Sequence, residues 1–246
     1  MRKEDRSIKS ISELIKFLVE DTREMKVPIW YRGHSKEENK LWPLAVREDC
    51  ETELNLIKRF KQNAALLINP PPNKSYEWLF IMRHHGIPTR LLDWSESPLV
   101  ATYFAVKSNP DKDGMLWVLL PLEFNIAGGR IWDDPDHLPS FQEDDEFMES
   151  YSPENYNKEK NAQMLPIAFI APRNTPRMQF QSSVFTIHHR NKIAVEDVEP
   201  KTHVWRYRIP KEYKKDIRLE LRLLGIGKFQ LFPELQTIGD ILKGEE

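Results

Sequence analysis

Apolar positions first fall into a helical rhythm after Ser10-Ile11-Ser12-Glu13, which has the form of a capping box with Ser10 as cap and Glu13 reaching back. Ile11, Leu14, Ile15 and Leu18 repeat at helical spacing and predict a helix to about Met25, ended by Pro28. Ile29-Trp30-Tyr31-Arg32 is β-branched and aromatic, which predicts a short strand closed by Gly33. A second helix is predicted over 51–68, with Leu54, Ile57, Phe60, Ala64 and Leu67 on one face and Pro70-Pro71-Pro72 as its stop. A third covers 77–85, with Gly86 at its C′ position. Residues 87–94 read as an irregular connection. Ser97-Pro98 is a cap followed by Pro at N1. The helix over 99–107 is apolar nearly all round, so it should be buried. After a polar turn at 109–114, residues 115–122 are apolar on both faces and predict a central strand. Further strands are expected at 165–170, 184–188 and 205–209, and a helix at 216–224. A last short helix opens at Pro233, with Leu235, Ile238 and Leu242 inward. Strands and helices mix without strict alternation. This predicts an α+β fold: one domain over 1–246, a mixed β-sheet core flanked by helices.

Composition narrows the function. The 246 residues carry 40% hydrophobic and 30% charged side chains, as a globular domain does. The one cysteine, Cys50, excludes an internal disulfide and a Cys-based zinc site. No metal site is expected. The longest apolar runs, 98–106 and 115–122, are too short to cross a bilayer. The N-terminus has no apolar signal region, so no membrane partner and a cytoplasmic location are expected. With nine glycines, the chain has neither a dinucleotide fingerprint nor a P-loop: Gly225-Ile226-Gly227 meets Gln230 where the third Gly belongs. Residues 131–157 hold nine Asp and Glu and no Lys or Arg, against an overall charge of −2. The rest of the chain therefore carries +7. This acidic excursion is expected to be a solvated loop.

Three segments set polar groups beside apolar runs. In Tyr31-Arg32-Gly33-His34, an arginine at a strand end offers its fork of donors to an anion, or pairs with a structural carboxylate. In residues 83–94, the set Arg83, His84, His85, Thr89, Arg90 and Asp93 is framed by Trp78, Phe80 and Trp94. Adjacent histidines point to different sides of a helix, which disfavours a two-His metal site. Cations, a hydroxyl and the backbone near the Ser97 helix start suit a phosphate. The alternative is a buried Arg90–Asp93 pair that fixes the loop. In residues 177–189, Gln179, Gln181 and Ser183 would share one strand face. Two amides there could read a base, or the face is simply exposed.

Trp30-Tyr31-Arg32-Gly33-His34, Leu41-Trp42-Pro43 with Arg47, and residues 84–94, His-His-Gly-Ile-Pro-Thr-Arg-Leu-Leu-Asp-Trp, together resemble the FRG domain family, named for its Phe/Tyr-Arg-Gly motif. Ser97-Pro98-Leu99-Val100-Ala101, Tyr103-Phe104-Ala105, residues 181–186, Leu224-Gly225-Ile226 and Phe232-Pro233-Glu234-Leu235 extend the likeness over about residues 10–242. The chain departs from the family's usual pattern at Arg83, where Gln is usual, and at Ser183, where Gly is frequent. The resemblance implies a polar pocket and an association with bacteria or phage, including their defence. A weaker resemblance links Tyr31-Arg32 to the Arg-Ser-Glu class of ADP-ribosyltransferases. It implies an ADP-ribosyltransferase-like fold, with Arg32 on the phosphates of NAD and Ser95 or Ser97 as the serine. The glutamate is missing. Gln179 and Gln181 stand in its place, and glutamine orients a hydroxyl but takes no proton.

Two functions follow as expectations. In the first, the pocket holds a phosphate-bearing nucleotide, NAD or ADP-ribose-like, for binding, transfer or NAD cleavage. Arg32, His34, Thr89, Arg90 and Gln181 would bind it. His84, His85 and Asp93 would do proton or positioning work. In the second, the chain is a non-catalytic module for nucleic acid or a protein partner, supported by the +7 outside the acidic stretch.

Overall fold

The computed structural model describes residues 6–37, 40–47, 53–129, 134, 136–141, 145–158 and 164–244. Cys50 and much of the acidic excursion lie outside these. The fold is α+β, as its mixed pattern predicts. Among the described residues seven strands form one sheet in the order β1-β7-β4-β2-β3-β6-β5. They are β1 (Arg6–Ser7), β2 (Trp30–His34), β3 (Leu91–Ser95), β4 (Gly114–Leu119), β5 (Ile167–Phe169), β6 (Ser183–Ile187) and β7 (Val204–Ile209). β1 runs parallel to β7, and all other neighbours are antiparallel. No helix among the described residues is long and apolar enough to cross a membrane.

Opposed side chains share a face of a sheet, and faces alternate along a strand. Tyr31 stands opposite Ser95, so Tyr31, Leu91, Asp93, Ser95 and Phe185 belong to one face. Two apolar clusters cover it. Over β7, β4 and β2, Tyr31, Leu116, Val118 and Tyr207 pack against helices Ile11–Thr22, Pro98–Val106 and Lys214–Leu223. Over β3, β6 and β5, Leu91, Phe185, Ile187 and Phe169 pack against helix Ser75–His84 and Ile57. A third cluster fills the other face with Trp30, Leu92, Trp94, Trp117 and Phe124.

Helix starts agree with their caps. Ser10 Oγ accepts from Glu13 N, and Ser97 Oγ accepts from Val100 N. The first helix ends at Thr22, before the expected Met25. Strand β4 stops at Leu119 because Pro121 opens a helix, Pro121–Ala127. The segment expected to be irregular contains β3, a central strand. Its five residues, Leu-Leu-Asp-Trp-Ser, are covered on both faces, so they lack the alternation that marks a half-buried strand. Residues 176–180 form a helix, with Thr175 Oγ1 accepting from Met178 N and Pro176 at N1. Gln179 and Gln181 therefore share no strand face with Ser183, where β6 begins. The final helix, Leu235–Leu242, lies on the surface: Leu235 and Leu242 are 88% and 83% exposed, and Ile238 is also exposed, where all three were expected inward. The described part of the acidic excursion is more than a solvated loop. It holds short helical turns and buries Phe141, Met148 and Tyr151.

Candidate functional site

A cavity of about 400 Å³ opens at the seam between the two clusters on the first face. Strand β2 pairs with β4 along five positions but with β3 at one, Tyr31 opposite Ser95. Arg32 spans the divergence. Its Nη1 donates to the backbone oxygen of Asp93, and its Nε lies 3.0 Å from Nε2 of buried His34. An interstrand bridge is thus made by a side chain where the backbone ladder ends.

Gly33 does not close the strand, which continues to His34. A Cβ here would run into the carbonyl oxygen of Ala101 and stand 2.6 Å from Ala105 N. The absence of a side chain seats helix Pro98–Val106 directly on the strand, which brings Val100, Ala101, Phe104 and Lys107 to the cavity wall.

Asp93 sits on the floor. Arg83 donates to its Oδ2 from Nε (2.8 Å) and from Nη2, and Arg32 Nη1 stands 3.9 Å away. Burial alone would raise this carboxyl. The attraction and hydrogen bonds of Arg83, followed by the charges of Arg32 and Arg177, outweigh it and hold Asp93 below the usual carboxylate range. From the far wall, Arg177 donates from Nη1 to the carbonyl of His84 (3.0 Å) and stacks 4.6 Å from the Phe232 ring. Lys107 Nζ lies over Phe104 and Phe232, at 4.9 and 5.1 Å. His84 Nε2 is 3.3 Å from Glu234. Burial, Arg177 and His85 lower the His84 pKa, so its imidazole is neutral at pH 7.

The lining side chains therefore include Arg32, Arg83, Lys107 and Arg177 against Asp93. Enclosure lowers the Lys107 pKa, and Arg177 and Lys228 add to it. Burial also lowers Arg177. Aromatic surface from Phe80, Phe104, Phe185 and Phe232 fills the spaces between.

Of the residues expected at the site, Arg32, His84, Asp93 and Gln181 meet at this cavity. Gln181 commits its amide to the carbonyl of Leu231, 2.8 Å away. His34 stands behind Arg32 as its support. His85 is exposed at the end of helix Ser75–His84, outside the cavity lining. Thr89 is fully buried, and its Oγ1 accepts from Leu91 N. The Arg90–Asp93 pair is absent. Arg90 is 3% exposed and pairs with Glu53 at 2.8 Å, donates to the carbonyls of His188 and Tyr151, and stacks on Tyr156 at 4.1 Å. It fastens the acidic excursion to the sheet. Arg90 precedes β3, and its partners come from helix Glu53–Ala64 and from the acidic excursion rather than from the strand.

Lys107, Arg177 and Phe232 had no binding role in the expectation, and Arg83 stood out with its segment but without a role of its own. Arg83 carried a signal, since it is the position where the sequence departs from the family pattern. Thr175-Pro176 announced the short helix that presents Arg177.

No curated protein and no solved structure matches the chain. Residues 27–114 match the family model of the FRG domain. That stretch includes β2, β3, the Ser75–His84 and Pro98–Val106 helices, and every lining residue from Tyr31 to Lys107. The chain thus resembles the FRG domain over residues 27–114, and most of the cavity's lining falls inside that match.

Proposed function

We propose that the cavity binds a phosphate-bearing nucleotide. The observation that carries this is the excess of positive charge: four cations converge on a partly open, aromatic-walled space that supplies Asp93 as counter-charge. Like charges brought together away from water are unfavourable, and a bound anion relieves them. Arginine forks bind phosphate in two-point geometry, and Phe104 and Phe232 offer flat faces to a base. The volume lies within the roughly 300–1,000 Å³ of small-ligand sites.

Asp93 orients Arg83 and Arg32. Held ionised by both, it is a weak proton acceptor, which favours binding over a transferase role. NAD cleavage at the same seat is favoured by one feature, the neutral His84 beside Glu234. Release of nicotinamide that disappears in His84→Ala would establish it.

Calorimetry with ADP, ADP-ribose and adenosine tests the binding. ADP and ADP-ribose should bind and adenosine should be much weaker. Arg177→Ala should weaken the phosphate ligands by about 1–3 kcal/mol, the worth of a hydrogen bond to a charged group. Arg32→Lys should do the same, because lysine keeps the charge but loses the fork. Equal binding of adenosine and ADP, or no binding at millimolar concentration, overturns the reading.

A further inference from the structure

A second cleft, of about 480 Å³, lies beside the first, and Lys107 lines both. Its wall is helix Lys214–Leu223 with the turn and short helix that follow. Lys215, Arg218 and Arg222 recur at i, i+3 and i+7, which puts them in one row down the helix. All three are exposed. With Lys107 and Lys228, the latter paired with Asp240 at 3.4 Å, they give the cleft five cations against one lining carboxylate, Asp216. The sequence hides this patch because its charges are separated by Ile217, Leu219 and Leu221 and form no basic run. Between the cations lie Leu219, Ile226 and Phe229, and Phe229 is 42% exposed. The two sites adjoin at Lys107, whose pKa is lowered by burial and then by Arg177 of the first cavity and Lys228 of the second.

A cationic trough interleaved with apolar and aromatic surface suits a chain of phosphates carrying flat bases, since the backbone follows the charge and the bases take the faces. We propose that the second cleft seats the phosphodiester backbone of a single-stranded nucleic acid, whose terminal nucleotide passes Lys107 into the first cavity. The second half of this statement rests on the nucleotide reading above; the first half does not. An acidic peptide would use the cations but leave the exposed face of Phe229 without a flat partner.

The test is fluorescence anisotropy with a labelled single-stranded RNA of about 12 nucleotides, within the range of known single-strand sites, beside calorimetry with ADP. The variant is K215E/R218E. Both side chains are exposed, so an unchanged melting temperature verifies its fold. The RNA should bind the wild type at least about tenfold more tightly than ADP does, and the variant should lose at least about tenfold for RNA and less than about twofold for ADP. Its affinity should fall steeply with salt, because counterions are released from the strand. RNA bound no more tightly than ADP, or equally by wild type and variant, overturns the proposal and leaves the nucleotide reading standing. Polyglutamate of similar charge competing as well as unlabelled RNA also overturns it. RNA binding that the variant loses, with no ADP binding by either protein, supports the second cleft as the strand's seat and retires the nucleotide reading of the first.

Discussion

Arg83 and Arg90 are seven positions apart and have opposite environments. Arg90 is sealed against Glu53, whose side chain is 3% exposed, while Arg83 and Asp93 face the cavity. Removing one partner of a sealed pair strands the other charge, at a cost of about 3–5 kcal/mol. A cavity-facing pair can be rehydrated. Glu53→Ala should therefore lower stability in urea by about 3–5 kcal/mol, and Asp93→Ala by clearly less. Equal losses would show that Arg83 is as enclosed as Arg90. Sequence spacing made the Arg90–Asp93 pair attractive because it sees separation along the chain, and Glu53 is thirty-seven positions away from Arg90. His188 is a second buried polar group. Among the described residues neither ring nitrogen has a hydrogen bond of normal geometry, and burial, against a weaker pull from the Ile193 backbone, pushes its pKa down to about 3. Between about 3 and its ordinary value of 6.5 the unfolded chain binds a proton that the folded chain refuses. Stability should thus fall as pH drops from 6.5 towards 3, by up to about 1.4 kcal/mol per pH unit from this residue. Asp93, also lowered, adds a loss of the same sign as pH falls below its unfolded value. Melting temperatures across this range should slope less in His188→Leu; parallel curves would mean that the imidazole is charged or solvated in the fold.

The helix Pro98–Val106 and strand β2 are in contact through Gly33, and that contact places one whole wall of the cavity. Gly33→Ala has to lift the helix, because the atoms in the way are backbone. The expected destabilisation is about 3 kcal/mol, at the upper end for overpacking, with loss of nucleotide binding in the folded fraction. A protein that melts as the wild type does would show that the helix shifts freely. Elements with local signals were legible in the sequence: the Ser10 and Ser97 caps, Pro98, Gly86 and the apolar β4. Strand β3 was not, because β2 and β6, which flank it, come from other parts of the chain, and the clusters packed on both faces of the sheet bury it without alternation. The Leu235–Leu242 helix shows the converse. Its apolar period is genuine, but a period says which side is apolar and nothing of what covers it. The basic row on Lys214–Leu223 was equally invisible until the helix arranged it.

At the scale of the molecule, the cavity draws on segments far apart in sequence, from Arg32 to Phe232. The polar excess of residues 31–34 and 83–94 pointed to it, but Arg177, Lys107 and Phe232 join only through the tertiary fold. The sheet that carries them is unevenly joined. Strands β4 and β7 are linked through six opposed positions and β3 and β6 through five, while the halves meet at Tyr31 and Ser95 and across the Arg32 guanidinium. Stiffness across a sheet grows with the number of bonds that must stretch together. Compliance is accordingly concentrated in one line, and that line runs under the cavity. On the other face the third cluster joins Trp30 and Trp117 to Leu92 and Trp94 across the same line and so acts as its hinge, which leaves the cavity side as the one where the floor can yield to a guest of slightly different girth.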